Sequence, residues 1–275
     1  MRALKTAALN AARLTTGALT TGALTTGALL TAVALVAGCG SSGPDGPGGP
    51  GGLGASARAT IPAHVTWKSS AKFGRWYDGS YFVYNNEWNS SQAGPQTIWA
   101  DSYHQWGVIS KQPDSTSVKT YPSVQLNFPN PRLSAIGSLR STFDESMPPP
   151  GADYDAEAAY DIWLDNYKTE VMVWVDNHKQ TPAGGVVTGT VVDGQPFTIF
   201  QGSSHMYSLV LAGTHESKGT MNLLAALYAL VDRGFISSSD TLTQVDFGWE
   251  VASTDNVPMS FEMHSYSLTS ATSLG

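Results

Sequence analysis

The sequence predicts an all-β fold: a sandwich of two antiparallel sheets carrying one packed helix. Three observations predict it. From about residue 60 the chain is broken into short runs of β-branched and aromatic residues bounded by Gly, Pro, Asn or Asp. Turn dipeptides fall between these runs, and only one stretch spaces its apolar residues as a helix does.

Taken in order, the strand-type runs are residues 81–84, 96–100, 123–127 and 197–200, with 205–211 and 258–268 extending the series. Gly184-Gly185 and Asp193-Gly194 are turn signals, because Gly reaches positive φ at no steric cost and Asp tolerates it. Many short strands at this spacing belong to a sandwich. In the helical stretch Leu223, Leu224, Leu227, Leu230 and Val231 mark one face. Thr220 is the expected cap and Gly234 the stop. A single amphipathic helix of this kind is a packing element.

The chain before residue 60 is of another kind. Residues 1–38 read as a lipoprotein-type signal peptide: Arg2, Lys5 and Arg13 with no acid, then a long run of apolar and small residues that includes a threefold TTGAL repeat. The run ends in Leu35-Val36-Ala37-Gly38-Cys39, which resembles a bacterial lipobox, and Cys39 is the only cysteine of the 275 residues, so it has no internal disulfide partner. Residues 39–60 are dominated by Gly, Pro and Ser, a composition that forms no core and behaves as a tether. These features predict lipidation at Cys39 and a location outside the cell, held to the membrane only through that anchor. The other reading is an ordinary secreted protein cleaved near the same place. Residues 61–275 form the expected catalytic domain, a monomer.

Composition narrows the partner. Only 13% of residues are charged while 10% are aromatic, and removing the three basic residues of the leader from the total of 15 leaves 12 against 22 acidic ones. So acidic a domain repels phosphate backbones, which excludes a nucleic-acid partner. A polar, weakly charged, Trp-rich surface suits a neutral polysaccharide, whose C–H faces stack on rings and whose hydroxyls bond to amides and carboxylates. Trp-rich β proteins also use Trp as core filler.

Two segments each offer a carboxylate. Along Glu170-Val171-Met172-Val173-Trp174-Val175, alternation sends the valines to one face and Glu170, Met172 and Trp174 to the other. Along Asp246-Phe247-Gly248-Trp249-Glu250-Val251, the large apolar residues share one face, and Gly248 leaves room beside Glu250 on the other. A third segment, Tyr160-Asp161-Ile162-Trp163-Leu164, puts Asp161 with Trp163. An Asp close to a reactive Glu shares a proton with it, because like charges at short range do not both ionise. A lone Glu on a strand is ordinarily a solvated residue, and alternation leaves open whether these strands are neighbours.

The runs Tyr84-Asn85-Asn86-Glu87-Trp88-Asn89, Val118 to Gln125, Tyr160-Asp161-Ile162-Trp163 and Glu170-Val171-Met172-Val173-Trp174 occur in this order. Together they resemble glycoside hydrolase family 12, a family of small cellulases and xyloglucanases with a jelly-roll sandwich, over about residues 64–268. The resemblance implies a retaining endo-β-1,4-glucanase acting on β-glucan, with Glu170 as nucleophile, Glu250 as acid/base and Asp161 as partner of the nucleophile. It implies Asn86, Trp88 and Trp174 as sugar contacts and Met172 near the cleavage point. Two departures are the bulky residues around Glu250 and the acidic Glu87 before Trp88.

The implied reaction is double displacement between carboxyls about 5–5.5 Å apart, which needs no cofactor and no metal. His64, His104, His178, His205, His215 and His264 are scattered without ligand spacing. Two other functions use the same scaffold: a noncatalytic carbohydrate-binding lipoprotein, which has no need of a second carboxylate strand, and a transglycosylase, which differs only in its acceptor.

Overall fold

A computed structural model describes residues 59–203, 205–213 and 215–272. The expected signal peptide, Cys39 and all but the end of the tether lie outside these residues. Fifteen strands are present: β1 (Trp67–Ser69), β2 (Arg75–Asp78), β3 (Tyr81–Tyr84), β4 (Gln96–Ser102), β5 (Gln105–Ser110), β6 (Ser123–Asn127), β7 (Ile136–Ser146), β8 (Asp155–Leu164), β9 (Thr169–His178), β10 (Gly185–Val192), β11 (Gln195–Ser203), β12 (Met206–Leu211), β13 (Lys218–Asn222), β14 (Leu242–Ser253) and β15 (Met259–Thr272). Among the described residues one α-helix, α1 (Leu223–Val231), follows β13.

The strands form two sheets, six-stranded in the order β1-β4-β5-β15-β7-β13 and nine-stranded in the order β10-β11-β12-β9-β8-β14-β6-β3-β2. The core lies between them. Val171, Val173 and Val175 of β9, and Phe247, Trp249 and Val251 of β14, are buried there as their alternation predicts. Across the gap Trp106 of β5 packs on Trp249 with ring centroids 4.9 Å apart, and Phe143 of β7 on Phe247 at 5.2 Å. Each such side chain contributes roughly 1.5–3 kcal/mol by leaving water. With its inner face so filled, the nine-stranded sheet leaves its outer face free for a ligand.

The turns are built by residues that accept positive φ. Asp193 (φ 47) and Gly194 (φ 87) make the two-residue hairpin between β10 and β11, with Val192 paired to Gln195. Asp165, Asn166 and Tyr167 (φ 51, 56 and 65) turn β8 into β9, and Asp165 accepts from the Thr241 backbone N–H at 2.9 Å, which holds that hairpin against the start of β14. One pairing is not antiparallel: β12 runs parallel to β9, because the β10–β11 hairpin carries the chain out to the sheet edge before it returns.

The helix occupies the expected stretch but starts from another cap. Thr220 belongs to β13, and Asn222 caps α1 through its side-chain oxygen, which accepts from Ala225 N–H at 3.1 Å. At the other end Gly234 takes φ 72, and its N–H bonds Val231 O. Leu223, Leu227 and Leu230 are buried against the body of the fold.

Candidate active site

The three segments singled out in the sequence lie side by side as β14, β8 and β9, the centre of the nine-stranded sheet. Their register makes rows across the outer face. Trp163 is opposite Glu170, and Asp161 lies between Asp246 and Met172. Ala159 lies between Gly248 and Trp174, and Glu157 between Glu250 and Asn177. Glu157, Asp161, Glu170, Asp246 and Glu250 therefore share one face.

Glu170 and Glu250 stand at opposite ends of this set. Their partners on β8, Trp163 and Glu157, are six residues apart, roughly 20 Å if the strand were flat. The negative charge of Glu250 is nonetheless felt at Glu170 and at Asp161. The strands bend between the two rows, with a register shift between Ala158 and Ala159 where β8 meets β9. Glu170 and Glu250 stand at the two ends of this face, with the Asp161 and Ala159 rows between them. Glu170 and Glu250 are half-buried, whereas Glu157, Asp161 and Asp246 are buried.

Electrostatics follow from this crowding. Burial, then the charge of Glu250, pushes Glu170 up to about 8. Burial raises Glu250 as well, and a hydrogen bond with Glu157 pulls it partly back. Asp161 is held well above the carboxylate range by burial and then by the charges of Glu170, Asp246 and Glu250. Asp161 pairs with Met172, two residues along from Glu170 on the same face, where a protonated acid can serve it. Burial holds Asp246 well above the carboxylate range, and the guanidinium of Arg75 on β2, 4.5 Å above the rings of both Phe82 and Tyr84, offsets part of that rise.

The Asn86–Trp88 turn is attached to β8 through Tyr121. Asn86 has φ 33, and its carbonyl accepts from Tyr121 N–H at 2.9 Å; the Tyr121 hydroxyl in turn donates to Ala159 O at 3.0 Å. Trp88 is half-buried. Glu87 points inward, buried, and accepts from Asn85 Nδ2 at 3.1 Å.

Two expectations about this face are corrected. Trp174 was expected as an open stacking platform, yet it is 3% exposed, and Met172 beside it is 2% exposed; both pack with Ala159 under Val210. Alternation gives their face, and the packing of Ala159 and Val210 on it covers both side chains. The room expected at Gly248 is also taken. A Cβ there would lie 2.0 Å from Pro122 O and 2.8 Å from Ser123 Cα, so the close approach is that of the chain's own backbone.

Sequence reasoning missed Glu157, Asp246, Tyr121 and Arg75. For Glu157 and Asp246 a signal was present, since each is four residues from a carboxylate already chosen and so shares its face. Among the described residues no group of His, Cys, Asp and Glu is arranged to hold a metal ion.

The sequence model of glycosyl hydrolase family 12 matches residues 79–270, well over half of the chain. The chain is 26% identical over 209 residues to the xyloglucan-specific endo-β-1,4-glucanase A of Emericella nidulans, covering 69% of this chain and 86% of that one. Among solved structures it is similar to the xyloglucanase domain of NopAA, a type three effector from Sinorhizobium fredii in complex with cellobiose. There the TM-score is 0.68 at 27% identity, over 76% of this chain and 100% of that one. The native family 12 xyloglucanase from Bacillus licheniformis shares the fold, with TM-score 0.66 at 22% identity over 74% and 100% of the two chains. The expected jelly-roll sandwich is the fold found.

Proposed function

The chain belongs to glycosyl hydrolase family 12 and is a glycoside hydrolase of the endo-β-1,4-glucanase type; from that premise we propose that Glu170 and Glu250 cleave β-glucan chains by double displacement with net retention. Glu170 attacks the anomeric carbon while Glu250, protonated, gives its proton to the departing oxygen. Glu250 then takes a proton from the water that releases the sugar from Glu170. The observation that supports this best is that Glu170 and Glu250 share one sheet face with the buried acids Glu157, Asp161 and Asp246, near enough for the charge of Glu250 to act on Glu170. Asp161 is a positioning residue for Glu170, poised to donate a hydrogen bond to its carboxylate.

The substrate is a β-1,4-glucan backbone, with xyloglucan first among the candidates because the similar proteins named above carry that activity in their names. Asn86 and Trp88 bind sugar beside the cleavage point, and Met172 and Trp174 shape the floor beneath it. The catalytic domain, residues 61–275, acts as a monomer outside the cell, tethered through a lipid on Cys39.

A 2-deoxy-2-fluoro-β-cellobioside with an activated leaving group traps the nucleophile, and mass spectrometry of the digested protein locates it. The expected label is on Glu170. A label on any other carboxylate would sink the assignment. Product analysis on xyloglucan, mixed-linkage glucan and carboxymethyl cellulose then ranks the substrates.

A further inference from the structure

Glu157 is a buried acid that the chemistry above leaves unused. It lies directly opposite Glu250 in the register of β8 and β14, on the same face, and is 0% exposed. Neither of its carboxyl oxygens has a hydrogen-bond donor from another residue, apart from what the Glu250 carboxyl can supply. The elements around the pair offer no countercharge in contact. On the other side of β8, Asn177 of β9 gives its amide N–H to Gln180 O. Lys119, beyond β14, bonds through Nζ to Ser115 Oγ, Ser117 O and Ala252 O. The other groups coupled to the pair are carboxyls: Asp155 acts on Glu157, and the charge of Glu250 acts on Glu170 and Asp161. Tyr121 faces Glu250 with its hydroxyl donated to Ala159 O.

Two carboxyls side by side in such a place do not both ionise. We propose that Glu157 is the proton-sharing partner of Glu250: it keeps a proton, donates its O–H to the Glu250 carboxylate, and so sets the pH range in which Glu250 serves as acid and then as base. The inference rests on the acid/base reading of Glu250. When Glu250 protonates the departing oxygen, the glycosidic C–O bond breaks, the leaving alcohol keeps that proton, and a carboxylate remains. The Glu157 O–H stabilises this carboxylate until Glu250 takes a proton from the incoming water, which restores the starting proton count. Burial and the charge of Glu250 both hold Glu157 well above the carboxylate range, in keeping with its role as donor. Glu157 acts through Glu250 and is a positioning residue.

The test compares wild type, Glu157→Gln and Glu157→Leu in the full chain, with folding checked by circular dichroism. Glu250 is titrated through its carboxyl ¹³C resonance, assigned with Glu250→Gln, and kcat/KM is followed against pH on an aryl β-cellobioside. Leu removes the donor, so the Glu250 titration and the alkaline limb both move up by about one pH unit, the effect of one charge-assisted hydrogen bond. Gln keeps an N–H donor and leaves both within a few tenths of a unit, while the two coupled steps of the wild-type pair become one. If Leu does not fold, the change from two steps to one in Gln decides the matter. The proposal is overturned if Glu250 titrates identically in all three proteins. If the resonance moves and the alkaline limb does not, proton sharing stands and the acid/base assignment of Glu250 fails.

Discussion

Trp249 donates its indole N–H to Glu145 at 2.7 Å, tying the strand that carries Glu250 to the opposite sheet through the core. Burial pushes Glu145 up to about 8, against the lowering effect of that bond. Its folded value lies above the ordinary one near 4.5, so the stability it contributes is fully present at acid pH and lost as pH rises through about 8. Urea unfolding at pH 5 and pH 9 should show a loss on the order of 3–5 kcal/mol from this group. Glu145→Gln keeps an acceptor for Trp249 and should flatten that dependence. An unchanged slope in the variant would mean that another group titrates.

Replacing Glu170 or Glu250 with Ala should lower glucan hydrolysis by about 10³-fold or more with the fold intact. Azide should rescue the two differently. Glu170→Ala gives an α-glycosyl azide, because the anion attacks from the vacated nucleophile side. Glu250→Ala gives a β-glycosyl azide, because the anion attacks the glycosyl-enzyme intermediate. The anomeric configuration, read by NMR, assigns each role, and exchanged configurations would reverse the assignment.

The two tryptophans of the sugar-contact set should separate by phenotype. Trp88→Ala should weaken oligosaccharide binding, measured by calorimetry, with little change in Tm. Trp174→Ala empties a packed floor and should cost about 3–5 kcal/mol of stability. An unaltered Tm in the Trp174 variant would restore the stacking role.

Gly248→Ala should be among the most damaging single changes, since its methyl group meets the Pro122 carbonyl and not a flexible side chain. Thermal unfolding should show a fall comparable to that of a core truncation, with loss of activity through displacement of Glu250. A stable, active variant would show that β6 can move away.

Cys39→Ala should abolish labelling by a fatty-acid probe in a bacterial host with the lipoprotein pathway, and leave the specific activity of the domain unchanged. A native protein found wholly in the medium, with its N-terminus beyond residue 39, would remove the anchor and leave the catalytic assignment untouched.

The sequence by itself determined the elements that depend on local pattern. The runs at 81–84 and 123–127 became β3 and β6 with the same bounds, because alternating β-branched and aromatic residues between turn formers have little else to do. Strand parity likewise fixed which side of β8, β9 and β14 faces the core, and with it the face shared by Glu170, Asp161 and Glu250. It placed the helix but not its cap, since Thr220 and Asn222 are both competent cap residues and only the end of the pairing with β7 selects the second.

What only the tertiary structure decided is distance across the sheet. Parity is a local property with a period of two, and it carries no information about register between strands that are 80 residues apart in the chain, as Glu170 and Glu250 are. The antiparallel match of β14 to β8 sets Glu157 against Glu250, and the match of β8 to β9 sets Asp161 against Met172 and Trp163 against Glu170. Packing across the sheet also buries Trp174 with Ala159 and Met172, and fills the space at Gly248 with the Pro122 carbonyl. Those contacts arise between segments whose spacing depends on how the whole sheet curls, a quantity set by packing over all nine strands and by no one of them.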